Sequence, residues 1–353
     1  MVASRQSPPY IQTLADADRH AHAEQRLFIL SPLNLWLTAA LLYAIVIAAY
    51  AFAAALDGAP WIVREAGGYA LDPSARIALV LTLVACVALA MQRYTHLRDY
   101  AEAQDLARVL RPEVVAGLTA FPSRNLGLAT ALGAVAGVGV VVAFSMRSTL
   151  MGLDTGMPRF LWFSAMTIFT SIMFVRGVEL SRTGAKGTRE VIDKALVVDL
   201  LQVDRLHAWG RLAARNSLTW FAVSAAACLL FVSRASALVT LTLLGACLVM
   251  GLSVFVATME RIHQRIRAAK ATELESVRTE ISSLKARLTA HSEVADKLHS
   301  LLAYEARIAA VREWPVDQTI LVRVFGSALI LAIPWFGQAV AGVLVEHLGQ
   351  LAR

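Results

Sequence analysis

The chain has 353 residues, of which 57% are hydrophobic and 17% charged, with a formal net charge of +7. It is too apolar for an ordinary soluble domain of this length. The basic excess comes without the aromatic-interleaved patch or RNP-like motif of a nucleic-acid binder, so no nucleic-acid partner is expected.

Residues 1–34 are polar and are expected to form a cytoplasmic helical segment. A cleaved leader would have a short apolar core ending at small residues; the first apolar run here is too long and lies too far in, so it reads as a retained span. Asp16, Asp18, His20, His22 and Glu24 alternate along this segment. On a helix Asp16, His20 and Glu24 share one face, while Asp18 and His22 share another. Carboxylate and imidazole ligands suit a divalent transition metal, which makes His20 and His22 the metal candidates. A solvated helix before the membrane explains the same residues, and no cofactor is expected.

Six apolar runs follow: Leu35–Leu56, Ile77–Met91, Leu126–Phe144, Phe160–Val175, Leu218–Val232 and Ala237–Met259. None contains Asp, Glu, Lys, Arg or His. Their lengths approach the ~20 residues needed to cross ~30 Å of hydrocarbon, with snorkelling neighbours making up the shorter ones. Lys and Arg are sorted between the connections: 3 before the first run, 5 in 93–125, 8 in 176–217 and 12 after Met259. The alternate loops hold Arg64 and Arg76, then Arg147 and Arg159, then Arg234 alone. Cytoplasmic loops carry the basic excess, so the expected fold is an all-α polytopic bundle of six transmembrane helices. They form three outward hairpins, with the N-terminus and the region after Met259 cytoplasmic, in a plasma membrane of the prokaryotic inner-membrane type.

Within this 35–259 membrane domain, the connections at 93–125 and 176–217 show apolar residues at helical spacing and are expected to extend the membrane helices. Gly133 and Gly137 form a GxxxG pair in the third run, suited to close helix packing and read as intrachain packing before a dimer seam. The fourth run has the most polar face. Ser164, Thr167, Thr170 and Ser171 recur at three- and four-residue spacing, as a pore-lining or substrate-facing stripe would, or as hydroxyls bonding between helices would. Cys86, Cys228 and Cys247 lie inside runs, at no metal or redox spacing, and read as small buried residues.

No Gly or Pro occurs between Leu252 and Trp314. The sixth span is expected to leave the bilayer as a continuous helix, in which Leu274, Val277, Ile281, Leu284 and Leu288 make a seam at 3-4 spacing. Residues 260–315 are therefore a helical hairpin or a coiled coil. Because the apolar run Val324–Val345 requires the chain to return to the membrane, a turn is placed near Thr289–Ala290–His291–Ser292, although the unbroken seam argues against one. Residues 316–353 form a re-entrant, interfacial or seventh membrane element. Its run either spans once or breaks at Pro334 into a pair on the cytoplasmic side, and the broken form is preferred. Trp314, Pro315, Pro334, Trp335 and Gln338 are its candidate gating residues.

The charge-free interiors argue against a carboxylate-relay transporter. No phosphate loop, G-x-S-x-G, H-E-x-x-H or dinucleotide fingerprint is present, and no enzyme is expected. What remains is an oligomeric channel or channel-like protein, gated or assembled through cytoplasmic helices. The alternatives are a non-conducting scaffold or sensor that binds a cytoplasmic protein and, third, a secondary transporter. The expected partners are the bilayer and further copies of the chain.

Overall fold

In the computed structural model, residues 23–65, 68–107, 109–110, 126–150, 156–229, 234–285 and 292–314 are described, with 322 and 326 besides. They form eight α-helices: α1 (Ala23–Leu30), α2 (Leu35–Leu56), α3 (Pro73–Ala107), α4 (Leu126–Leu150), α5 (Met157–Ala195), α6 (His207–Cys228), α7 (Arg234–Lys285) and α8 (Ser292–Ala309). One antiparallel hairpin, β1 (Ile62–Glu65) with β2 (Gly68–Leu71), joins α2 to α3. A 3-10 turn, Val203–Leu206, leads into α6.

The helix ends follow from local chemistry. Asn34 caps α2 by accepting the Leu37 N–H at 2.9 Å, leaving one fewer unpaired amide in the first turn. The helix stops at Asp57 and Gly58, where Gly58 takes φ +64° and its N–H returns to the Ala55 carbonyl at 3.1 Å. A residue with a Cβ adopts that left-handed turn only under strain. At the start of α3, Asp72 accepts from the Ser74 and Ala75 amides, and Pro73 fits the first position because it has no N–H to lose.

Among the described residues five helical segments are long and apolar enough to cross a membrane: Leu35–Leu56, Pro73–Arg98, Leu126–Met146, Met157–Ala195 and Gly245–Lys285. The molecule is thus a predominantly helical protein with membrane-spanning helices. The run Leu218–Val232 is not among these five. Only its residues up to Cys228 lie in α6, whose N-terminal half carries His207, Arg211, Arg215 and Asn216. This helix is enclosed by protein: Trp209, Ala213, Ser217, Trp220, Phe221, Ser224 and Ala227 are all buried. An enclosed helix meets little lipid, so it does not need an apolar residue at every outward position.

α6 runs against both of its neighbours. The Thr95 and Thr219 hydroxyls lie 3.0 Å apart, and further along Val80 and Val84 pack with Ala226 and Ala227. On the other side a Cβ at Gly251 would sit 2.6 Å from Phe221, so glycine allows that approach to α7. The largest core lies at the end of the bundle away from the β-hairpin. There Leu106, Ile192, Ala195, Leu206, Trp209, Leu212, Met259, Ile262 and Ile266 pack together. The Val197 N–H donates to the Val109 carbonyl at 2.9 Å, tying the ends of α3 and α5.

α7 has 52 residues, about 78 Å at 1.5 Å per residue. That exceeds ~30 Å of hydrocarbon by a wide margin, and its second half forms a stalk with α8. The two run antiparallel, since Lys270 meets Ala309 and Val311, Tyr304 meets Glu273, and Lys297 meets Glu280. Val277 and Ile308 are buried between them. Of the turn expected at 289–292, only Ser292 falls within the described residues.

Candidate functional site

The four hydroxyls of the α5 stripe occupy different environments. Ser171 faces α4: a Cβ at Gly137 would lie 3.2 Å from its Cβ, and one at Gly133 would lie 3.1 Å from its carbonyl oxygen and 2.6 Å from Ile172 Cα. Gly133 and Gly137 are therefore where the α4 backbone comes against α5. The Thr170 hydroxyl donates to the Met166 carbonyl at 2.7 Å, within its own helix. Thr167 is half-buried. The Ser164 oxygen is buried and has no hydrogen-bond partner among the described residues, so it remains open to a water or another polar atom.

The surroundings of α5 matter as much as the stripe. This helix touches α2, α3, α4 and α7. Yet only 6% of its most apolar window is buried, against 50% for α3. α2 and α4 are likewise little covered, at 22% and 17%, so the apolar stretches of all three helices are largely open to what surrounds the chain.

The first turn of α5 is held by a polar and aromatic latch. Arg159 Nε donates to Asp57 Oδ2 at 2.8 Å, and the Arg159 amide donates to the same oxygen at 3.2 Å. Asp57 thus closes α2 and also caps α5, whose own N-cap residue, Gly156, offers no side chain. A Cβ at Gly156 would fall 2.1 Å from the Asp57 carboxylate, so the cap and the glycine require each other. Arg159 also reaches the Ser74 hydroxyl at 3.5 Å; that hydroxyl donates to Asp72 and shares a bond with Tyr50 at 3.0 Å.

Tyr50 is 1% exposed. Its ring meets Trp61 at 5.4 Å, Trp162 at 5.0 Å and Phe163 at 5.8 Å, all edge to face, and the Trp162 indole N–H donates to the Val46 carbonyl at 3.3 Å. Edge-to-face pairs add roughly 0.5–1.5 kcal/mol each beyond area burial. This latch was not anticipated from sequence. The available signals were Asp57-Gly58 at the end of one apolar run and Gly156-Met157-Pro158-Arg159 at the start of another.

At the opposite end, the Arg176 Nη1 group donates to Thr130 at 3.0 Å, tying α5 to α4 where the apolar windows finish. Trp220 donates to the Ser181 hydroxyl at 3.1 Å and meets Phe174 edge to face. In the stalk, Lys270 donates to the Ala309 and Val311 carbonyls at 2.8 and 3.0 Å and lies 3.6 Å from Glu313, which caps the C-terminus of α8. The half-exposed Trp314 stacks on His263 at 4.5 Å, and His263 Nδ1 lies 3.2 Å from the Glu313 carbonyl oxygen. Arg278 pairs with Glu305 at 2.6 Å. The Tyr304 hydroxyl donates to Glu273 at 3.0 Å; that bond first, then partial desolvation and the charges of Glu273 and Asp199, raise its pKa above the usual tyrosine value.

Pro315, Pro334, Trp335 and Gln338 lie outside the described residues, as do His20 and His22. Among the described residues no group of three or more His, Cys, Asp or Glu is placed to hold a metal. Cys86, Cys228 and Cys247 form no disulfide among the described residues. Comparison with protein-family models, with characterised proteins and with solved structures finds no match for this chain.

Proposed function

We propose that the chain is one subunit of an oligomeric α-helical channel or channel-like conduit, with α5 lining the path. The observation that carries this reading is the contrast at α5: neighbours on several sides, few buried side chains, and a stripe of hydroxyls that includes an unpartnered Ser164. Hydroxyl and apolar groups without fixed charge suit a pore that passes its cargo without a proton relay. The latch at Asp57 and Arg159 holds one end of α5, and the α7–α8 stalk bears on the bundle from the other.

In this proposal α6 is a protein-enclosed sixth crossing. The stalk and the N-terminus face the cytoplasm, on the side where the connections are richest in Lys and Arg. The membrane is a plasma membrane of the prokaryotic inner type, and several copies surround the path. No catalytic step is assigned.

The test is reconstitution of the purified protein into planar bilayers, with the oligomer mass measured in the same detergent. An oligomer that conducts, and whose conductance falls when Thr167→Cys is modified by an aqueous thiol reagent, supports the reading. A monomer that passes no current under voltage, tension or a pH step overturns it.

A scaffold or sensor that binds a protein through the stalk is the second reading. It is favoured by an open recess of about 530 Å³ on α7, lined by Ala271, Leu274, Glu275, Arg278, Thr279 and Ser282. That reading predicts no conductance and a protein that copurifies with the intact stalk and is lost on Leu274→Glu.

A further inference from the structure

We infer that the corner formed by α1, the start of α2 and the end of the α3 span seats an anionic phospholipid. The acyl chains would lie on Leu27, Leu30, Leu33 and Leu37 and the headgroup beside Arg98. At eight residues α1 is too short to cross a bilayer. It is nevertheless fixed at the depth of the spans, because the buried Phe28 belongs to one cluster with Ala39, Leu89, Ala90 and Met173, against which Leu35 and Leu42 pack. Those residues all belong to membrane-crossing segments. Leu35 and Leu42 are seven residues apart, so the cluster that holds Phe28 covers the first ~10 Å of α2.

With Phe28 turned inward, the rest of α1 turns its apolar side chains outward. Leu27 is 49% exposed, Leu30 81%, Leu33 43%, Trp36 56% and Leu37 53%. The patch runs without a break into Leu41 and Ile45, the exposed face of α2. A soluble surface rarely carries such a patch unless something covers it. Its continuity with a helix face that already meets lipid identifies lipid, rather than a protein, as the occupant.

The polar rim supplies the headgroup chemistry. Trp36 lies 6.3 Å from Tyr94, and Arg98 lies 5.7 Å from the Tyr94 ring centroid with its side chain exposed. Trp and Tyr gather at the membrane–water boundary, and an arginine there attracts anionic lipid. Arg26, exposed one turn before Leu30, adds a second cation to the same end of the bundle. None of this depends on whether the chain conducts.

The experiment uses the full chain. Native mass spectrometry of detergent-purified protein, supplied with equal phosphatidylglycerol and phosphatidylcholine, should show phosphatidylglycerol retained preferentially. Arg98→Gln should lower that retention about five-fold, the worth of one arginine at an anionic surface. Leu30→Ser should lower retention of both lipids. Phosphatidylglycerol brominated near the top of its acyl chain should quench the emission that is lost on Trp36→Phe. Equal retention of the two lipids, or retention unchanged by Arg98→Gln in a protein of normal elution volume, would overturn the inference. So would unquenched Trp36 emission with α1 protected from hydrogen exchange, since protein would then cover the patch.

Discussion

Asp57 and Arg159 meet twice through one oxygen, which accepts from the Arg159 side chain at 2.8 Å and from its backbone amide at 3.2 Å. The Asp57 side chain is 5% exposed and that of Arg159 14%, so neither bond is freely exchanged with water. One carboxylate therefore serves as an ion-pair partner and as a helix cap at the same time.

Removing that carboxylate should cost more than removing the arginine head. Asp57→Ala is expected to destabilise the protein by about 2–4 kcal/mol, because it uncaps α5 and leaves a largely buried guanidinium without its carboxylate. Arg159→Gln leaves the amide bonded and should cost less. The exchanged pair, Asp57→Arg with Arg159→Asp, should not recover, because no oxygen would then reach the Arg159-position amide from the end of α2. Thermal unfolding in detergent measures all three, and full recovery by the exchange would contradict the dual role.

The glycines of α4 predict a graded series. A Cβ at Gly133 would lie 2.6 Å from Ile172 Cα and one at Gly137 2.7 Å from Ile168 Cα, both backbone atoms that cannot move aside. A Cβ at Gly127 or Gly139 would meet nothing within 4 Å among the described residues of other elements. Alanine at 133 or 137 should destabilise by about 1–3 kcal/mol as the helices are forced apart. Alanine at 127 or 139 should be neutral or slightly stabilising through helix propensity. Equal effects at all four positions would count against this α4–α5 contact.

Lys270→Met removes the donor to the Ala309 and Val311 carbonyls while keeping most of the aliphatic stem. Loss of about 1 kcal/mol of capping is expected, confined to the last turns of α8. Hydrogen exchange should quicken at residues 305–311 and stay unchanged in α2–α5. A global change in exchange would show that the stalk and the bundle do not open separately.

Tyr304 gives the stalk an alkaline dependence. Its raised pKa means that the folded stalk holds the phenolic proton more tightly than an unfolded chain, whose tyrosine titrates near 10. That contribution is complete below the unfolded value and is lost as pH rises through the folded one. Stalk stability should decline above about pH 10 in the wild type and more shallowly in Tyr304→Phe. Circular dichroism melts from pH 8 to 11 make the comparison, and identical slopes would remove the Glu273 bond from the account.

Some of this architecture can be read from residue order and some cannot. Leu35–Leu56 is both an apolar run and a helix with the same two ends, because Asn34 and Asp57-Gly58 are local signals that need no tertiary context. Leu218–Val232 is harder to read for a physical reason: the length of an apolar run does not separate contact with lipid from contact with core, and α6 is surrounded by protein. The Ser164–Ser171 stripe is visible as a helical face, but periodicity carries no information on which hydroxyl meets the α4 glycines and which is left unpartnered. Asp57 and Arg159 lie 102 positions apart and each reads alone as a loop charge. Only the packing of α2 against α5 brings them together.

The uninterrupted course of α7 has a mechanical consequence. Sharp bends in helices arise at proline, at glycine or serine pairs, or at local bulges; from Leu252 to Lys285 this helix has no glycine or proline, and its Ser282–Ser283 pair lies within a turn of the far end. The buried Ile262 and Ile266 are where this helix leaves the main core and passes into the stalk. A rigid rod held at that point acts as a lever. Over the ~28 Å from Ile266 to Lys285, a tilt of about 10° displaces the far tip by roughly 5 Å. Anything that pulls the stalk sideways by a little more than a carbon–carbon contact distance rotates the membrane half by the same small angle, with no flexible joint between them to absorb it.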